Sequence, residues 1–186
     1  MDSGKAGFTV LAPAGPGFSS RQVALRLSAA LEQIQDGPVL TVHCEPEDQP
    51  TSTPSELFVV TPAQGGNSLV PSSLQLPAPG ALPATGASMQ FSHDVDVAAA
   101  LASDSMTEFF GRATQTFRHI VLSARCPQHH PETIVLTSMA QSVIMTALTG
   151  HTTQKEMRDT LAIFRAGRAE TIGFLMQSDR EDEPGK

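Results

Sequence analysis

Phe8-Thr9-Val10-Leu11-Ala12-Pro13-Ala14-Gly15-Pro16-Gly17-Phe18-Ser19-Ser20 is the stretch on which the fold turns. Its first five residues form a short apolar run, partly β-branched and aromatic, and Pro13 to Gly17 end that run in a glycine turn. This is the signature of a buried strand leaving through a tight bend. Ser19 or Ser20 then caps a helix, because a hydroxyl satisfies the free N–H groups of a first turn. Val23, Leu27, Leu31 and Ile34 follow at spacings of four, four and three, one apolar face of that helix. Asp36-Gly37-Pro38 stops it, and Val39 to Val42 is the next strand. The unit has the length that a right-handed parallel crossover needs.

The same alternation continues outward. Leu57–Val60 predicts a third strand, His119–Ser123 a fourth, a run anchored by Val143-Ile144-Met145 a fifth, and Thr171–Met176 a last. Between them, helical spacing runs from Asp94 to Thr116 in one or two pieces and over Glu132–Met139. It returns after Thr152 or Thr153 with Met157, Leu161 and Phe164 on one face, and Gly167 ends it. Strands alternating with amphipathic helices predict an α/β fold: a doubly wound, mostly parallel sheet with helices on both faces. Residues 1–177 read as one such domain. The stretch 61–90, rich in Pro, Gly, Ser and Ala and without period, reads as a mobile loop, and 178–186 as a charged tail. Met139, Met145, Met157 and Met176 fall on apolar faces and read as core.

Composition narrows the function. The 186 residues carry 12 Lys+Arg against 19 Asp+Glu, a net charge of −7, so no basic stripe is present to neutralise nucleic-acid phosphates. No apolar run approaches the ~20 residues of a membrane span, and Met-Asp-Ser-Gly-Lys lacks the order of a signal peptide. Two cysteines, Cys44 and Cys126, suit a reducing compartment. The expectation is a cytoplasmic protein that does not insert in a membrane. Nine Phe make up all the aromatic content; with no Tyr and no Trp, any role needing a tyrosine on this chain is excluded.

A glycine turn between a first strand and a first helix is where α/β proteins bind phosphates, because backbone N–H groups and the helix dipole face the anion there. Against the phosphate-loop pattern G-x-x-x-x-G-K-[ST], Gly17, Ser19 and Ser20 fall in place while Phe18 takes the lysine position. With these surroundings, the chain from 8 to 177 resembles the cytoplasmic kinase domain of bacterial tyrosine kinases, relatives of MinD/ParA-type ATPases that partner polysaccharide co-polymerases. That family's P-G-E-G-K-S-T turn is matched by Ala14-Gly15-Pro16-Gly17-Phe18-Ser19-Ser20, and its V-D-x-D by Val42-His43-Cys44-Glu45. Its P-A-G turn is met by Thr61-Pro62-Ala63 after a strand. Its F-D-Y-V-I-I-D-T-P-P corresponds to Phe117 through Pro127, its A-D-x-V-I-L-V-V-R-x-G-x-T-T to Ala140 through Thr153, and its L-G-V-V-L-N to Ile172 through Gln177.

The resemblance implies the frame of a P-loop NTPase without its chemistry. Phosphoryl transfer depends on charge placed against phosphates and Mg²⁺. Here Phe18 replaces the lysine, His43 and Ser123 replace the two carboxylates, only Glu45 keeps an acid, and a phosphorylated tyrosine tail is impossible. The chain is therefore expected to have no catalytic residues: a pseudoenzyme. Gly15, Gly17, Ser19 and Ser20 remain as a vestigial loop whose amides and hydroxyls would bind ATP or ADP weakly if at all. Pro16 removes one donor N–H, and Phe18 is placed to fold into the vacant space. By resemblance, the partner is an inner-membrane polysaccharide co-polymerase or export component, approached from the cytoplasm, with self-association a further implication. The implied role is scaffold or regulator in exopolysaccharide or capsule export; the alternative is a divergent nucleotide-binding switch or ATPase of the MinD/ParA type.

Other chemistries read less well. His43, Cys44, Cys126, His129 and His130 are ligand-type residues that strand ends could bring together, but without C-x-x-C or H-x-x-x-H spacing they read as inert thiols and loop histidines, and no metal is assigned. No G-x-S-x-G elbow supports a serine hydrolase.

Overall fold

The computed structural model describes residues 7–34, 37–45, 56–60, 87–91, 95–169 and 172–178. Seven strands pair in the order β3-β4-β2-β5-β1-β6-β7, and every ladder is parallel. They are β1 (Gly7–Pro13), β2 (Val39–His43), β3 (Glu56–Val60), β4 (Ala87–Phe91), β5 (His119–Ser123), β6 (Ser142–Leu148) and β7 (Ile172–Gln177). The helices are α1 (Arg21–Ile34), α2 (Val97–Leu101), α3 (Asp104–Thr116), α4 (Glu132–Met139) and α5 (Gln154–Ala166). β1 lies between β5 and β6, so the crossover through α1 passes over β5 before reaching β2.

Strand periodicity sorts the side chains. Val10 and Ala12 point into the larger core with Leu40, Val42, Ile120 and Leu122, covered by Phe109 and Phe110 of α3, Leu136 of α4 and Phe164 of α5. Leu11, Val39 and Val121 point the other way, against Val23 and Ala24 of α1, with Leu27 and Leu31 packed alongside. One helix on one face and four on the other make the predicted doubly wound α/β sheet. Asp96 caps α2, accepting from the Ala98 and Ala99 amides, and Ser103 caps α3, accepting from Met106, which is why the helical run breaks in two.

Three expectations need correction. Ala87–Phe91, the end of the stretch read as a mobile loop, is a fully buried strand between β3 and β2. The rest of that stretch, 61–86, lies outside the described residues, as does the tail from 179 onward. Ile34 is 77% exposed, because the last turn of α1 runs beyond the sheet. Of the four methionines read as core, Met145 is buried and Met157 partly so, whereas Met139 and Met176 are exposed on the outer side of α4 and on the last strand. Among the described residues, no helix is long and apolar enough to cross a membrane.

Candidate functional site: a glycine turn closed by its own acids

Parallel strands end together, so the carboxyl edge of this sheet gathers the turn after β1, the ends of β2, β5 and β6, and the start of α1. All four residues expected of a phosphate loop lie in that turn. Gly17 has φ +78, a left-handed conformation that favours glycine, with open space around it. Gly15 is buried, and its neighbour lies 141 positions along the chain: a Cβ added there would sit 3.0 Å from the Glu156 carboxyl. No backbone or side chain larger than glycine fits without moving that acid.

Glu156 is held by the first turn of α5. Its Oε2 accepts from the Thr153 amide at 2.7 Å and the Thr153 hydroxyl at 2.8 Å, while Thr153 Oγ1 caps the Glu156 amide. This is a capping box, S/T-x-x-E read reciprocally. Those bonds from Thr153 favour the ionised form and hold the carboxyl below its ordinary value. Thr160 of α5 donates to the Ala14 carbonyl at 2.9 Å, and Gln128 Nε2 reaches Ala14 O, Glu156 O and Thr160 Oγ1 at 3.2–3.3 Å. The helix is thus bonded to the turn directly through Thr160 and bridged to it by Gln128. Substituting Thr153→Ala removes the cap and is expected to cost about 1 kcal/mol in denaturant unfolding; an unchanged midpoint would show that the box contributes nothing.

The hydroxyls are committed too. Ser19 donates to Glu45 Oε2 at 2.6 Å and accepts from the Arg21 amide at 3.2 Å. Ser20 is fully buried and points its hydroxyl at the Leu11 and Ala124 carbonyls, both at 3.2 Å, tying α1 to the ends of β1 and β5. Ser19 therefore accepts from the first helical amide, while Ser20, whose carbonyl accepts the first intrahelical bond from Ala24, clamps the helix start. Glu45 sits where the α1 dipole favours a negative charge, so the helix terminus already faces an anion of this chain. Phe18 is half-buried and belongs to neither core cluster. Glu156, which sequence reasoning missed, lies against Gly15; the T-x-x-E signature at 153–156 marks its place in a first helical turn but not its neighbour.

At the two positions where the resemblance expects carboxylates, the groups are neutral and dry. His43 and Ser123 are register partners at the ends of β2 and β5, on the α1 face, and both are buried. Burial, reinforced by the nearby Arg21 guanidinium, lowers the His43 pKa from 6.5 to about 4. His43 Nδ1, Ser123 Oγ and, at the end of β6, Thr146 Oγ1 have no hydrogen-bond partner among the described residues. The loop after β5 is braced instead by an ion pair of Arg125 with Glu132 and by the Thr133 hydroxyl on the Arg125 carbonyl.

The ligand-type residues stay apart. Among the described residues, no three His, Cys, Asp or Glu side chains are grouped to hold a metal ion. Burial pushes the Cys44 thiol up to about 12 and raises that of Cys126 as well, so neither supplies a thiolate. His130 contacts Glu132 at 3.4 Å within the brace of that loop.

A glycine turn joining a first strand to a first helix at the carboxyl edge of an all-parallel, doubly wound sheet is the ligand-binding edge of an α/β fold. The fold is like that of bacterial tyrosine kinase domains. The chain is similar to the chimerical protein CapA2B2 (TM-score 0.70, 11% identity, 96% of this chain and 78% of that one). It is similar to the kinase domain of the Escherichia coli tyrosine kinase ETK (TM-score 0.67, 12% identity, 100% and 73%). It is also similar to the BceF tyrosine kinase domain (TM-score 0.65, 13% identity, 93% and 69%). At these identities the likeness is one of fold. No protein-family description and no curated protein matches the sequence.

Proposed function

We propose that this chain is a catalytically inactive member of the bacterial tyrosine kinase fold, acting as a scaffold or regulator. It would dock from the cytoplasm on the inner-membrane co-polymerase partner that the sequence resemblance implies, in export of a surface polysaccharide. One observation carries the reading: the turn that would cradle phosphates is flanked by two of the chain's own carboxylates, Glu156 against Gly15 and Glu45 on Ser19. An incoming phosphate would meet like charge where it needs a cation, and the groups that would hold Mg²⁺ are a neutral imidazole and a hydroxyl. The fold remains intact around this defect, which supports work through surfaces.

The test is thermal unfolding with and without millimolar Mg²⁺-ATP or Mg²⁺-ADP, followed by circular dichroism, since without Trp or Tyr there is no strong intrinsic fluorescence. No change in melting temperature is expected. A ligand at 100 times its Kd would stabilise the native state by ~2.7 kcal/mol; a shift of that size would overturn the reading and restore the nucleotide-controlled switch.

A further inference from the structure

Helix α5 sorts its charges onto two sides. Glu156, Asp159, Ile163 and Gly167 share one side at helical spacings of three and four, and contacts fix where it points: Glu156 lies against Gly15, and Gly167 against Ile134 of α4. Arg158, Leu161 and Arg165 share the opposite side. Because α4 packs over β1, the side of α5 turned away from it overlooks β7, the end of the sheet. Leu161 is half-buried yet belongs to neither core cluster. Both arginines are exposed, as are Lys155 in the first turn and Arg168 just past the helix end. None of these four side chains forms an ion pair among the described residues. Beside them β7 is bare on both faces. Phe174 and Met176, in register with Met145 and Ala147, are 50% and 54% exposed on the α5 side, and Leu175, in register with Thr146, is 37% exposed on the other.

We propose that this corner, the β7 edge with the cations of α5, rests on an anionic lipid surface. Phe174, Leu175 and Met176 enter the interfacial layer and the guanidinium groups take the lipid phosphates. Apolar side chains beside unpaired cations are what interfacial binding requires, and here they gather at one corner of a chain whose net charge is −7. The exposure of Leu175 selects this occupant. An acidic helix laid beside α5 would cover Phe174 and Met176 but leave Leu175 in water, whereas a lipid layer takes up both faces of a protruding strand at once. Arginine suits such a boundary, since its apolar stem can lie among lipid while its head stays with phosphate. Outward backbone amides of the edge find acceptors among headgroup oxygens, which hydrocarbon would not supply, so the contact is peripheral. It uses no residue of the glycine turn and stands independently of the proposed function.

Flotation of the full chain with phosphatidylcholine vesicles carrying about 30% phosphatidylglycerol should bring the protein up with the lipid, and phosphatidylcholine alone should not. Raising the salt from about 0.1 M to about 1 M shortens the screening length about threefold and should release it. Arg158→Gln and Arg165→Gln should each weaken binding about fivefold. Phe174→Ser combined with Met176→Ser should abolish flotation at a melting temperature close to that of the wild type, because both side chains are exposed. Arg26→Gln, exposed on α1 across the sheet, is the control and should leave binding as it is. A wild-type chain that stays down with the anionic vesicles overturns the proposal, whether its arginines serve an acidic protein instead or the acids of its own C-terminal tail. So does flotation that Arg26→Gln weakens as much as Arg158→Gln, or that survives the loss of Phe174 and Met176.

Discussion

Acidification from 6.5 to about 4 is expected to cost the fold about 3 kcal/mol through His43 alone. The sign follows from which state takes up the proton. Unfolded, the imidazole titrates at its ordinary 6.5; folded, it is buried beside Arg21 and resists protonation down to about 4. In the window between, the unfolded chain binds the extra proton and gains stability relative to the folded one. The contribution is thus fully present above 6.5 and lost as the pH falls toward about 4. His119 and His130 are lowered as well, chiefly by burial, and add a loss of the same sign. The discriminating variant is His43→Asn, compared by slope: stability against pH should flatten markedly across the window in denaturant titrations. An unchanged slope would show that His43 is not the group responsible.

A comparable loss is expected at Phe164. This ring is fully buried and is the deepest anchor of α5 in the larger core. Phe164→Ala removes the ring and leaves a cavity, at a cost of about 3–5 kcal/mol. Through Thr160 and Glu156 the same helix holds the glycine turn, so loosening it should also free Gly15 from its acid. The control is Phe174→Ala on the exposed edge, expected to move monomer stability by no more than about 0.5 kcal/mol. Equal effects at the two positions would contradict the core assignment.

Much of the architecture was legible because it rests on local signals. Glu132–Met139 stands as read, Thr153 caps α5, Gly167 closes it, and the strand–turn–helix opening lies where its residues place it. What escaped was set by tertiary neighbours. Ala87-Ser88-Met89-Gln90-Phe91 has no β-branched residue and follows a long Pro/Gly/Ser stretch, so its alternation of Ala87, Met89 and Phe91 was the sole trace of a strand whose burial comes from β3 and β2. Ile34, Met139 and Met176 obey the apolar period, but period says which face a residue shares and not whether that face is covered. At the site, the four loop residues and the missing charges could be read directly. That an acid from a helix 141 positions later lies against Gly15 could not, because only the fold brings α5 over the turn.

The central position of β1 has a consequence for how the chain is made. Its neighbours on either side are β5 and β6, and the hydroxyls of Thr9 and Ser142, bonded across one of these ladders, are 133 residues apart. Synthesis therefore delivers the first strand long before anything it can pair with. Until β5 and β6 have emerged from the ribosome, Phe8–Ala12 lacks both its ladder neighbours, and such delayed closure makes for slow folding and an aggregation-prone nascent segment. A truncation ending before β6 would lack one whole side of the central ladder and is a poor starting point for expression.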